Sequence, residues 1–453
     1  MVQSVPLKII EGECLYLVEF YIEKGQAMGE AVNSIELQVS MWGVGLAMIL
    51  TVILIFRRIN PAYAMMAGAC AGGIIGGLDL TTTIDYMIGG AQLLTPAVLR
   101  ILAAGVLIGV LVESGAANVI AAAIVTKLGE KKALLAITLS SFILTAVGVF
   151  IAAAILTVAP IALMIAKRTG VSRLSVLIAV LCGGRAGNAI APNPSTIAAA
   201  DGFSLPLTSL MAAGIVPATI GAGLTYLIAK KLSNKGSKVT KAEEERMSNE
   251  KDPSFLGAIS GPLFTIFLLS LQPIAGIKID SLAALPAGGL FGLLVMGKAG
   301  EFKAHLSSGL QKMSGIAIVI LGTGTLAGII IHSSINDLIL TGLNFFHLPV
   351  SLIAPLSGTF MSLATASATS SAAISSSVFA EMLLENGVTA LAGAAMINAA
   401  AVGFDFLPHG PLFHISRESL FMQMKERLKA LPYELIVALA MVIASTVVFG
   451  GFF

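Results

Sequence analysis

Apolar stretches of about twenty residues recur from Met41 to the C-terminus. That is the length of helix needed to cross about 30 Å of hydrocarbon. The runs are continuous rather than alternating, which excludes a β-barrel. Only 11% of the residues are charged and mean hydropathy is +0.93, against about 25% charge in average soluble domains. The chain therefore reads as an all-α polytopic membrane protein whose first partner is the lipid bilayer. A net charge of +2 gives a nucleic-acid role no support. Cys14, Cys70 and Cys182 are dispersed and imply neither a metal site nor a disulfide framework.

Residues 1–36 differ from the rest, with Glu11, Glu13, Glu19, Glu23, Glu30 and Glu36 set against Lys8 and Lys24. They lack the basic and apolar regions of a signal peptide and read as an acidic, peripheral leader. Lys and Arg set the orientation of the remainder. Arg57 and Arg58 follow the first span, and basic residues return in "TKLGEKK", "KRTGVSR" and "MKERLK". The most polar segment, Lys230 to Ser254, holds seven more. All of these fall on one side, expected to be the cytoplasm of an inner membrane, if two segments enter and leave by the same face. Lys278 and Arg100 are then the main basic residues on the other side.

The polar segment divides two halves, residues 37–232 and 255–453, joined by a linker over 233–254. "ILAAGVLIGVLVESGAANVI" overlies "ILGTGTLAGIIIHSSINDLI" at an offset of 219, and seven residues recur identically. The same register pairs Gly184 with Gly403, Pro192 with Pro411, and "LTAVGVFIAAA" with "LATASATSSAA". The charge assignment makes the second half begin inside, so the repeat is inverted. About ten full spans and two re-entrant hairpins are expected, with the binding site near mid-bilayer. "VESGAANVIAAAIVTKLGEKK" and "INDLILTGLNFFHLP" read as interfacial helices.

"GGRAGNAIAPNPST", Gly183 to Thr196, sits inside an apolar run. Its glycines and prolines make an unbroken helix improbable. Irregular backbone at membrane depth persists only when buried in protein or lining a wet cavity. A broken helix here would turn a half-helix N-terminus towards an anion. Arg185 adds a forked positive charge able to grip a carboxylate, or else neutralises an internal acid. Asn188, Asn193, Ser195 and Thr196 supply donors and acceptors for hydroxyls. The matching region "AAVGFDFLPHGPLFHIS" carries Asp405, His409 and His414, each a candidate proton or cation carrier. His409 is also a candidate substrate ligand, and Asp405 is equally suited to neutralising Arg185. At the second hairpin, Thr365, Ser367, Thr369 and Ser370 would offer hydroxyls to a polyol or cation. The first hairpin is nearly devoid of polar side chains.

"LPHGPLFHISRESLFMQMKERLKALPYE" resembles the C-terminal signature of the gluconate permease (GntP) family of cation-coupled organic-anion symporters. "GVLIGVLVESGAANVIAAAIVTKLGEKKA" and "IALMIAKRTGVS" resemble its first-half segments, and the similarity runs from about Leu37 to Phe453. The resemblance implies proton-coupled uptake of gluconate or a related hydroxy acid through paired hairpins and broken helices. It also implies the wider ion-transporter superfamily, where sodium coupling occurs. Two places depart from the gluconate branch: Asn193 replaces a histidine, and the first hairpin lacks a carboxylate.

A secondary symporter of a small organic anion fits best, with H⁺ as coupling ion, Na⁺ as its rival, no cofactor or metal, and room for a homodimer. A cation/proton antiporter, or a Na⁺-coupled carboxylate transporter, of the same fold is the alternative. An enzyme is not expected, because no catalytic constellation appears. An ATP-driven pump is disfavoured because no Walker-type motif is present.

Overall fold

The computed structural model describes residues 38–57, 59–239, 253–333, 341, 349–408 and 410–451. The acidic leader, the centre of the linker, nearly all of "INDLILTGLNFFHLP" and His409 lie outside the described residues.

The first half runs α1 (Met41–Phe56), α2 (Pro61–Ile75), α3 (Leu80–Leu93), α4 (Thr95–Glu113), α5 (Ala116–Leu128), α6 (Ala133–Ala146), α7 (Ile151–Thr169), α8 (Arg173–Asn188), α9 (Pro194–Gly202), α10 (Leu207–Ala213) and α11 (Ile215–Leu232). The second runs α12 (Phe255–Ala275), α13 (Ser281–Val295), α14 (Phe302–Ile331), α15 (Ile353–Thr365), α16 (Ala368–Glu385), α17 (Ala390–Gly403), α18 (Pro411–Ser419), α19 (Met424–Leu428) and α20 (Leu431–Phe449). Among the described residues, six helical stretches are long and apolar enough to cross a bilayer by length and composition.

The duplication is visible at the hairpins and the breaks. The helical hairpin α6–α7 and the interrupted pair α8/α9 recur as α15–α16 and α17/α18. Their N-caps recur too. Ser40 and Ser254 cap α1 and α12, Asn60 and Asp280 cap α2 and α13, and Ser172 and Thr389 cap α8 and α17. Each such cap satisfies a backbone N–H left open at a helix start and stabilises by about 1 kcal/mol.

Hydrogen bonds between distant helix ends sort those ends onto two faces. On the face carrying the Lys/Arg clusters, Ser172 Oγ donates to Leu232 O at 2.8 Å, Arg173 to Leu420 O at 2.9 Å, and Lys298 Nζ to Ser114 O at 3.0 Å. On the opposite face, Val39 N donates to His332 O at 2.8 Å and Ser351 Oγ to Gly450 O at 2.9 Å, and Arg100 pairs with Asp201 and Asp280. α8 starts on the basic face. α17 starts beside Phe203, at the far end of α9, so the two halves are inverted. The helices also pack as two groups, α1–α4 with α12–α14, and α6–α11 with α15–α20.

The break expected within Gly183–Thr196 is present but narrower. α8 continues through Gly183, Gly184 and Gly187 to Asn188, and only Ala189–Asn193 is non-helical. These glycines serve close packing instead. A Cβ on Gly187 would lie 2.0 Å from Phe142 O and 2.3 Å from Thr145 Oγ1, and one on Gly183 would lie 2.7 Å from Thr138 O. Small residues let membrane helices approach at backbone distance, here α8 against α6. The helix penalty of glycine, about 1 kcal/mol each, is offset by that contact. The second break includes Phe404–Pro408 and Gly410 among the described residues.

Gly187→Ala therefore forces α6 and α8 apart and should destabilise the protein by about 2 kcal/mol. Gly223→Ala, with nothing within 4 Å of the added carbon, should be neutral or slightly stabilising. Thermal unfolding in detergent separates them, and equal midpoints would remove the packing role of Gly187.

Candidate functional site

The two breaks and the two hairpin tips meet around a cavity of about 290 Å³. Four helices begin at its wall. Ile151 and Ala152 open α7, Pro194 and Ser195 open α9, Ala368 and Thr369 open α16, and Pro411 and Leu412 open α18. The first turn of any helix has N–H groups without intrahelical partners, and its aligned peptides carry roughly half a positive charge there. Four such ends at one cavity make its wall electropositive without spending a formal charge.

Local chemistry explains why the helices start there. Asn193 caps α9, its Oδ1 accepting from Thr196 N at 3.0 Å and from the Ser195 and Thr196 hydroxyls at 2.8 and 3.2 Å. Ser367 caps α16, accepting from Ser370 N at 3.3 Å. Among the described residues no side chain caps α7 or α18, which leaves N–H groups of their first turns open to a ligand. The second hairpin turns at Ala366, a non-glycine residue with φ +46°, a conformation that costs about 1 kcal/mol or more. Gly410 packs directly on this tip, where a Cβ would lie 2.6 Å from Ala366 Cβ.

Behind the cavity runs a buried ladder of charge. Asp405 lines the cavity and accepts from Arg185 Nε at 2.8 Å. Arg185 is fully buried, its guanidinium lies 5.3 Å from the centre of the Phe406 ring, and its Nη2 is 3.6 Å from Glu434 Oε2. Glu434, equally buried, takes both Nη groups of Arg427. Arg427 Nε donates to Ser416 Oγ at 3.1 Å, and its guanidinium lies 4.3 Å from the Phe413 ring centre. Two guanidiniums and two carboxylates alternate, so the ladder is electrically neutral, and its one cavity-facing end is Asp405.

The residues expected from the sequence divide accordingly. Asn188, Asn193, Ser195, Ser367, Thr369 and Asp405 line the cavity. Arg185 stands one hydrogen bond behind it and pairs with Asp405, the neutralising arrangement. Thr196 is absorbed by the Asn193 cap, and Thr365 donates to Met361 O at 2.8 Å. Ser370 Oγ is buried without a protein partner. His414 Nε2 sits 2.9 Å from Pro408 O and does not line the cavity. His409 lies outside the described residues.

Four contributors were missed. Arg427 was counted only in the basic cluster "MKERLK", and Glu434 was given no role, although an acid opening the last apolar span is a functional signal by default. Lys312 and Gln311, on α14, form the cavity wall facing the hairpin tips. Lys312 Nζ donates to Glu113 Oε1 at 2.5 Å, and nothing local in the sequence shows that pairing across 199 residues.

The family model for GntP family permeases matches residues 37–450. A Haemophilus influenzae protein described as an "Uncharacterized transporter" is 53% identical over 414 residues, covering 91% of this chain and 99% of that one. The "High-affinity gluconate transporter" of Escherichia coli K12 is 23% identical over 399 residues, covering 82% and 88%. In fold, the crystal structure of the Alcanivorax borkumensis YdaH transporter is similar at a TM-score of 0.60 and 15% identity, over 89% of this chain and 98% of that one. With its apolar spans and its helix ends gathered on one cavity, the chain belongs to the GntP permease family, an integral membrane transporter rather than an enzyme.

Proposed function

We propose that the protein is a proton-coupled symporter of a small organic anion, a hydroxy-carboxylate of the gluconate kind, working by alternating access in the inner membrane with its basic face towards the cytoplasm. The observation that carries this reading is the convergence of four helix N-termini on one cavity, a geometry that favours an anion. The cavity, about 290 Å³, is at the small end of ligand sites. Asn188, Asn193, Ser195, Ser367, Thr369 and Gln311 offer hydrogen bonds to a polyol chain. The family relationship and the gluconate transporter among the relatives point the same way.

Proton coupling follows from Asp405. An incoming carboxylate placed about 5 Å from an ionised Asp405 is repelled by about 3 kcal/mol at an effective dielectric of about 20. A proton on Asp405 removes that repulsion and frees the Arg185 Nε–H it was accepting from. The substrate carboxylate then replaces Asp405 as partner of the guanidinium, so one proton enters with one anion. On release, Asp405 loses its proton and closes on Arg185 again.

A specific observation favours Na⁺ as an alternative coupling ion. The Asn188 and Asn398 side-chain oxygens are buried without a protein partner, and Asn398 donates to Ala189 O, beside Asn188, at 3.3 Å. Unwound carbonyls and half-helix C-termini hold Na⁺ in other secondary transporters. Proteoliposomes given either a pH gradient or a Na⁺ gradient, with labelled three- to six-carbon hydroxy acids, decide between the two ions. No uptake of any acid under either gradient would sink the symporter reading.

Asp405→Asn should abolish concentrative uptake driven by a pH gradient while sparing substrate exchange, with binding independent of pH. Concentration at the native rate would show that the proton travels elsewhere.

Arg185→Gln should cut anion uptake at least a hundredfold. Because it leaves two acids against one guanidinium, it also costs about 3–5 kcal/mol in stability. The paired Arg185→Gln/Asp405→Asn variant keeps the ladder neutral and should fold yet remain inactive. Uptake by that folded double variant would remove Arg185 from the binding step.

A further inference from the structure

A second cavity, of about 600 Å³, opens on the face opposite the Lys/Arg clusters. Arg100, Asp201, Lys278 and Asp280 line it, together with Gln272 and Ser204. Among the described residues, none lines both cavities. The partition between them is α9. Its first residues, Pro194 and Ser195, face the binding cavity, whereas Ile197, Ala200 and Asp201 face the second one. Nine residues rise about 13 Å, so one short half-helix, packed against α4, α16 and α17, reaches from one cavity to the other.

The far end of that half-helix is pinned. Asp201 accepts a hydrogen bond from Arg100 Nη1. Arg100 Nε and Nη2 grip Asp280 bidentately at 2.9 and 2.7 Å, and Asp280 also caps α13 through Leu282 N at 2.8 Å. Arg100 and Asp280 belong to the group α1–α4 with α12–α14, and Asp201 belongs to the other. The bond from Arg100 to Asp201 therefore crosses the boundary between the two packed groups. It is also the weaker side of the triad. Arg100 holds both oxygens of Asp280, while Asp201 Oδ2 is buried with no protein partner.

We propose that Arg100, Asp201 and Asp280 form a lock that keeps the binding cavity closed to the face opposite the Lys/Arg clusters, and that each transport cycle breaks its Asp201 bond while Arg100 stays on Asp280. The proposal rests on the alternating-access reading. The hydrogen bonds from Arg100 hold the Asp280 carboxyl at about 2, far below the range in which cells operate. That carboxylate keeps its charge throughout, so Arg100 stays on Asp280 when the Asp201 bond breaks.

The test places one cysteine at Ala152, on the binding cavity wall, in a chain whose Cys14, Cys70 and Cys182 are replaced. A membrane-impermeant maleimide is then applied to right-side-out and inside-out vesicles. With the triad intact, labelling should come mainly from the Lys/Arg face. Arg100→Gln and Asp201→Asn should each raise labelling from the opposite face at least fivefold. Lys278→Gln, which alters the second cavity but not the triad, should leave the ratio unchanged. Unchanged ratios in both triad variants, with size-exclusion profiles matching the parent, would overturn the lock, as would an equal rise in Lys278→Gln. Labelling needs no substrate. A failure of anion uptake in the parent chain therefore counts against the transport reading and leaves the lock to be judged separately.

Discussion

A guanidinium with no access to water organises the group of helices behind the cavity. Arg185 on α8 is held by Asp405 from the second break and lies beside Glu434 on α20, which in turn holds Arg427 on α19. Taking any one member away strands a charge in low dielectric, at a cost of about 3–5 kcal/mol. The ladder therefore fixes α8, the second break, α19 and α20 relative to one another more stringently than their alanine-rich contacts do. Those contacts are non-directional and tolerate sliding. Directed hydrogen bonds, one from Arg185 to Asp405 and two from Arg427 to Glu434, do not.

Because the ladder is neutral, the positive potential of the empty cavity comes from helix ends. A site built on an unpaired arginine would be costly to keep inside a bilayer when empty. Four N-termini carry their partial charges permanently, because the peptide dipoles are already aligned. Proline at the first position of α9 and α18 fits this role. Its missing N–H is one the helix could not have used, and its fixed φ starts the turn at the cavity wall.

The architecture was legible because membrane helices obey few rules. Run length gave the spans, the 219-residue register gave the duplication, and basic clusters gave the inversion. Glycine was misjudged. Gly183, Gly184 and Gly187 looked like helix breakers, yet in a tightly packed bundle their value is the absence of a Cβ against α6. Propensity measured in water loses to close approach in a membrane interior. Polar cavity residues on the breaks were found from local composition: Asn188, Asn193, Ser195 and Asp405 all sit where chain irregularity demanded a cavity. Lys312, Glu434 and Arg427 were not, because their roles depend on partners that only tertiary packing supplies.

The duplication recurs in backbone and not in charge. Among the described residues, hairpins, breaks and caps recur in both halves, so both present helix N-termini to the cavity. Arg185, the cation that holds Asp405, comes from the first half alone, and its acids, Asp405 and Glu434, come from the second alone. All three sit within the packed group α6–α11 with α15–α20. The ladder therefore ties the first half of the sequence to the second inside one group of helices. Had each half carried its own Arg–Asp pair, no ion pair would tie the two breaks together.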